Sequence, residues 1–226
     1  MRPTARIISI GTLPRHSLWN ESTAVRTGHA TTSLISVDDQ HVVVDPSLPS
    51  PILKARFSER TAVLPESVQG VFLTSLTEEH LRGLAAFPQA TWWAFETELD
   101  AAKQAVRDDL DMARGNPKDG GVEPLEAMLT LLDRMRAAPE EVLPGVDLFP
   151  SAGVTPGCCG LLLSESTRTT LIAGDAVATR EHLEAAQVLP TCWDRERAQE
   201  SFKDVIEIAD VIVPGRDDLL LNPTRW

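Results

Sequence analysis

The chain has 226 residues, 42% of them hydrophobic, and a formal net charge of −12. That length and apolar content suit one domain, 1–226, with a full core, and they exclude a disordered or low-complexity chain. The acidic balance excludes a general nucleic-acid binder, because phosphate contacts need a basic surface, and it excludes docking on an anionic membrane.

Met1 to Arg6 runs straight into a short strand pattern with no signal-like apolar core, and no apolar run approaches a membrane span. Three cysteines, with Cys158 and Cys159 adjacent, do not make a disulfide framework. A reducing cytoplasm is the expected location.

In chain order, Ala5 to Leu13 reads as a strand, then Thr31 to Val37, then His41 to Val44. The link Asp38-Asp39 makes the last two a hairpin, which ends at Asp45-Pro46-Ser47. Pro51 to Arg60 follows as a helix, Gly70 to Leu73 as a buried strand, Glu78 to Ala86 as a short helix and Thr91 to Phe95 as another strand. Trp92 and Trp93 are expected to pack that strand on both faces. A helical insertion covers about 96–138, broken at Gly115 to Gly121 by a mobile turn, and it either covers a cleft or carries a homodimer contact. Strands return at Val146 to Phe149, Gly160 to Ser164 and Thr169 to Ala173. They are followed by helices at Thr179 to Ala186 and Arg195 to Ala209, and by a last strand at Val211 to Val213. Strands and helices in this order, with no Pro- or Ser-rich linker, indicate layered sheets and helices.

Five segments carry more than secondary structure: Val44-Asp45-Pro46, Leu73-Thr74-Ser75-Leu76-Thr77-Glu78-Glu79-His80, Thr155-Pro156-Gly157-Cys158, Gly174-Asp175-Ala176 and Val213-Pro214-Gly215-Arg216. In this order and with these strands between them, the chain resembles the metallo-β-lactamase superfamily over nearly its whole length. The resemblance implies an α+β fold, a four-layer αββα sandwich with the site at one edge between the sheets.

The resemblance also implies where metal ligands would stand. The three histidine positions of the first metal site are Ser75, Thr77 and Cys158 here, and the second site has Glu79, His80 and Arg216, with the bridging aspartate kept as Asp175. Zinc prefers nitrogen, sulfur and carboxylate donors, and neutral hydroxyls are poor ones. A divalent ion and a guanidinium about 5 Å apart at an effective dielectric near 20 repel by on the order of 6 kcal/mol. The usual dinuclear zinc centre is therefore not expected, and no cofactor is favoured. Arg216 is expected to stand in for the ion by pairing with Asp175 and Glu79. The alternative is one divalent ion, zinc, iron or manganese, held by Glu79, His80 and Asp175.

Local chemistry offers plainer roles for the same residues. Ser75 with Glu78 has capping-box spacing, and His80 reads as a half-buried, hydrogen-bonded histidine. Cys158 and Cys159 read as small core residues, and a nucleophilic Cys158 would need a base that only His80 could supply. His16 and His29 border the implied cleft, as unorthodox ligands, substrate contacts or surface histidines, while His41 and His182 read as surface positions. The expected function is a non-catalytic or small-molecule-binding relative. The alternative is a mononuclear metal-dependent hydrolase of a small, anionic substrate held by Arg216.

Overall fold

The computed structural model describes residues 2–115 and 121–225. Its first sheet has the order β1-β2-β3-β4-β5-β6: β1 (Thr4–Ser9), β2 (Thr32–Val37), β3 (Gln40–Val44), β4 (Gly70–Leu73), β5 (Thr91–Ala94) and β6 (Arg136–Ala137). The first three strands pair antiparallel and the rest parallel. The second sheet has the order β12-β11-β10-β9-β8-β7: β7 (Glu141–Leu143), β8 (Val146–Pro150), β9 (Cys159–Ser164), β10 (Thr169–Gly174), β11 (Val211–Pro214) and β12 (Leu220–Leu221). Only β10 and β11 pair parallel there.

The layers follow from alternation along each strand, because successive side chains leave a strand on opposite faces. Leu34, Val43 and Val71 point outward, to a core shared with Leu53 and Phe57 of α1 (Ser50–Arg60). Ile35, Val42, Val44 and Phe72 point inward and meet Leu161, Leu163, Ile172 and Val213 of the second sheet. On the far side, Leu171, Ala173 and Ile212 pack against Phe202 and Val205 of α6 (Arg195–Ile208). Trp92 joins the outer core and Trp93 the inner one, as the sequence leads one to expect. Each fully buried Val, Leu, Ile or Phe side chain in these cores contributes about 1.5–3 kcal/mol. This is the expected αββα sandwich.

Several boundaries differ from the sequence reading. The first strand stops at Ser9, after a register shift, rather than at Leu13. The helix expected over Glu78 to Ala86 is only α2 (Glu78–Leu81), followed by a separate turn at Leu84–Ala86. The break comes at Gly83, whose N–H donates to the Pro46 carbonyl at 2.6 Å; a Cβ there would lie 2.3 Å from that oxygen. The insertion holds α3 (Glu96–Gly115) and α4 (Val122–Asp133), which pack together. Their Leu99 and Leu132, with Met135, belong to the outer core, so these helices complete a layer. The expected mobile turn falls largely on 116–120, outside the described residues. The short strands β6, β7 and β12 have no counterpart in the sequence reading. Among the described residues no helix is long and apolar enough to cross a membrane.

Candidate functional site

The carboxyl ends of β4, β10 and β11 converge at one edge of the sandwich. After β10 the chain turns through Gly174 at φ +55°, and at Gly215 a Cβ would sit 2.3 Å from Asp175 Oδ1. Glycine at both positions lets Asp175 and the loop after β11 meet. The Arg216 N–H donates to the Ala178 carbonyl at 2.8 Å, which fixes the side chain's origin.

From there the guanidinium grips both carboxylates that the sequence reading assigned to it. Arg216 Nε donates to Asp175 Oδ1 at 2.8 Å and Nη2 to Oδ2 at 2.7 Å, a two-pronged fork, while Nη1 donates to Glu79 Oε2. Arg216 and Asp175 are buried, and Glu79 is about a quarter exposed. Burial pushes the Asp175 carboxyl up, but the charge and hydrogen bonds of Arg216 outweigh that and hold it at about 2. Burial likewise works against the Arg216 cation, and Asp175 and Glu79 together raise it above its ordinary value.

Behind this knot the strand-to-helix turn is tied down differently from the sequence reading. The Ser75–Glu78 capping box does not form. Ser75 Oγ instead donates to Glu98 Oε1 at 3.3 Å, an oxygen that also takes the Leu76 N–H at 2.9 Å. The other oxygen of Glu98 takes the Gly157 N–H at 3.0 Å, so one buried carboxylate from the first turn of α3 ties two motif loops together. Thr77 stands at the N-cap of α2, but its hydroxyl meets His80 Nδ1 at 2.7 Å and makes no cap bond to the backbone.

His80 is fully buried rather than half-buried, and burial lowers its pKa to about 4, so the ring is neutral. Its Nε2 has no hydrogen-bond partner and lies 3.9 Å from Asp175 Oδ2. Cys158 is a core residue: burial first, then Glu98, push its thiol well above the ordinary value, and its side-chain contact is with Ser151. That environment suppresses the thiolate a nucleophile needs. Asp45, at φ +48°, accepts from the Thr74 N–H at 2.9 Å and the Thr74 hydroxyl at 2.7 Å; burial raises it to about 7 despite those bonds. Among the described residues no group of three or more His, Cys, Asp or Glu is disposed to hold a metal ion.

The N-terminal histidines part company. His16 is buried, stacked on Trp19 at 4.2 Å, with Nε2 at 3.2 Å from Thr179 Oγ1. His182, expected at the surface, is also buried, with Nδ1 at 2.9 Å from the same hydroxyl. Thr179 is the N-cap of α5 (Arg180–Ala185), and it clasps the loop before β2 to that helix. No local pattern shows this, because the contact spans 163 residues. His29 is partly exposed and faces the Thr27 and Ile10 carbonyls, and His41 is partly buried beside Ser36.

The result is a cavity of about 440 Å³ over the Asp175–Arg216–Glu79 knot, with Thr77 also in its lining. Ser75, His80 and Cys158 lie beneath this floor, fully buried. Leu13, Pro14, Val154, Leu189 and Pro190 form an apolar wall, and Arg15 and Ser17 of the N-terminal loop contribute to the rim. Sequence reading missed Glu98, whose only signal is a carboxylate at a helix start just after a strand, and it missed the 189–191 wall, which carries no motif.

The sequence profile of the metallo-beta-lactamase superfamily matches residues 25–219. A search of curated protein sequences gives no match. Among solved structures, a putative metallo-beta-lactamase from Thermotoga maritima aligns with a TM-score of 0.67 at 16% identity, over 98% of this chain and 100% of that one. AidC, a dizinc quorum-quenching lactonase in complex with a product, aligns with a TM-score of 0.64 at 13% identity, over 91% and 80% of the two chains. AiiA from B. thuringiensis, a mutant with N-decanoyl-L-homoserine bound at its active site, aligns with a TM-score of 0.60 at 18% identity, over 91% and 87%. At such identities the structures speak for the fold, and the profile, spanning most of the chain and all five motif segments, speaks for ancestry. The chain belongs to the metallo-β-lactamase superfamily.

Proposed function

We propose that this chain is a ligand-binding member of the superfamily in which a guanidinium replaces the metal centre. The observation that carries this reading is the Arg216 fork on Asp175 with its third bond to Glu79. The donors do not fit a dinuclear zinc centre. Ser75 and Thr77 offer hydroxyls already committed to Glu98 and His80, Cys158 is a buried thiol, and the two remaining carboxylates are engaged by a permanent cation. Without an ion, the metal-activated water that drives hydrolysis has no source in this arrangement.

If Arg216 is what excludes an ion, removing it should readmit one. Arg216→His combined with Glu79→Asp is expected to gain tight zinc binding, read by calorimetry and by metal content after dialysis. No gain in the folded double variant contradicts the reading.

A second reading has one observation in its favour: the buried, unpartnered His80 Nε2, 3.9 Å from Asp175 Oδ2. One divalent ion on His80, Asp175 and Glu79 would use that nitrogen, at the cost of expelling Arg216. It requires the natural chain to retain about one ion and Asp175→Ala to lose it.

A further inference from the structure

The knot is not electrically balanced. Two carboxylates, Asp175 and Glu79, share one guanidinium, and one negative charge is left over in a site whose floor is buried. At the rim, Glu78 and Arg15 are both exposed and screened by solvent, and Glu78 lies 3.9 Å from Arg82.

The excess is located on particular atoms. Glu79 gives Oε2 to Arg216; Oε1 lies against Gly28, and no hydrogen-bond donor among the described residues reaches it. Two further polar groups are unpartnered in or just under the same cavity. They are Thr155 Oγ1 in the lining and Nε2 of fully buried His80, facing Asp175 from below. Unmade hydrogen bonds of this kind are costly, and a ligand carrying donors relieves those at Glu79 and Thr155, the two of these residues that line the cavity. Much of the remaining lining is apolar, with Leu13, Leu189 and Val154 packed together and Pro14 and Pro190 beside them in the wall. A space of about 440 Å³ is in the size range of small-molecule sites.

We propose that the cleft binds an organic cation with an apolar tail, its primary ammonium seated at the free Oε1 of Glu79 and its tail lying on the Leu13–Leu189 wall. The inference rests on the reading that the cleft holds no metal. An ammonium supplies three donors and one positive charge, which matches both the open oxygens and the charge imbalance. An anion of the same size would meet Asp175 and Glu79 with nothing to offset them, since Arg216 is already committed to both.

Calorimetric titration of the full chain with n-hexylammonium, n-hexanol and n-hexanoate tests this, with metal content measured on the same sample. Hexylammonium is expected to bind at least about tenfold more tightly than hexanoate, a difference of about 1.4 kcal/mol. Its affinity is expected to weaken as salt rises. Glu79→Gln should bring hexylammonium down to the level of hexanol. At the exposed rim, Thr191→Lys should weaken hexylammonium and Thr191→Glu strengthen it, without touching the core. Hexanoate binding as tightly as hexylammonium, no binding by any of the three probes, or indifference to both the Glu79 and Thr191 changes overturns the proposal. A sample holding about one metal ion per chain defeats the metal-free reading itself. A metal-free sample that prefers hexanoate defeats only the assignment of ligand class.

Discussion

Arg216 is the residue on which the site turns. Arg216→Ala leaves Asp175 and Glu79 facing each other with no counter-charge, and breaking a buried pair from one side costs about 3–5 kcal/mol. Chemical denaturation should show that loss, and Arg216→Lys should recover only part of it, because an ammonium cannot reproduce the planar fork. A loss within experimental error in Arg216→Ala would mean that the pair contributes nothing to the fold. Asp175 stands at about 2 against an ordinary 3.8, so its contribution is fully present above about pH 4 and drains away as pH falls toward 2.

Two neighbours titrate in opposite senses. His80, at about 4 against an ordinary 6.5, stays neutral in the fold while the unfolded chain takes up a proton, so stability falls as pH drops from 6.5 to 4. Asp45, at about 7 against 3.8, keeps its proton in the fold while the unfolded chain loses one, so stability falls as pH rises from about 4 to 7. Asp45→Asn removes only the second effect. Its unfolding free energy should climb with pH between 4 and 6.5 more steeply than that of the natural chain. Equal slopes in parallel urea titrations would contradict the placement of Asp45.

Among the elements, α3 and α5 do what no local pattern announces. α3 reads as half of an insertion, yet its first turn supplies Glu98, the carboxylate that joins the Leu73–His80 turn to the Thr155–Cys158 loop. In Glu98→Gln one accepting oxygen becomes an NH₂ that confronts a backbone N–H, and about 1–3 kcal/mol of stability should disappear. A neutral outcome would place the strut elsewhere. α5 begins at Thr179, whose hydroxyl serves as cap and as the meeting point of His16, His182 and Glu181. Thr179→Val should cost about 1–2 kcal/mol, with faster amide exchange in the loop before β2. Unchanged exchange there would show that the clasp does not hold the loop.

The same elements show what a sequence can display. β2, β3, β9 and β10 alternate cleanly between two buried faces, and their periods are legible at once. β6 and β12 have two residues each and β7 three, too short to carry a period. His16 and His182 look like surface residues because what buries them comes from the other end of the chain.

At the scale of the molecule, the fold and the site were readable to different degrees for a physical reason. The frame of glycines, prolines and short strands that brings Asp175, Arg216 and Glu79 to one edge is local in sequence and survives in recognisable form. What the site holds depends on how charges balance across β4, β10 and β11, and that is settled only when the loops meet. The pairing of Arg216 was inferable because an arginine at a ligand position must find an anion. The wall at Leu189 and Pro190, and the strut at Glu98, depend on packing between distant segments.

On the proposed reading, a guanidinium occupies the electrostatic role of a metal. Elemental analysis of the natural chain, expressed with zinc, iron and manganese supplied and then dialysed without chelator, tests it most directly. Far less than one ion per chain, in protein that is folded and carries the pH dependence above, is the predicted result. About one tightly held ion per chain, lost in Asp175→Ala, would contradict it, because bound metal and the Arg216 fork require the same carboxylate oxygens.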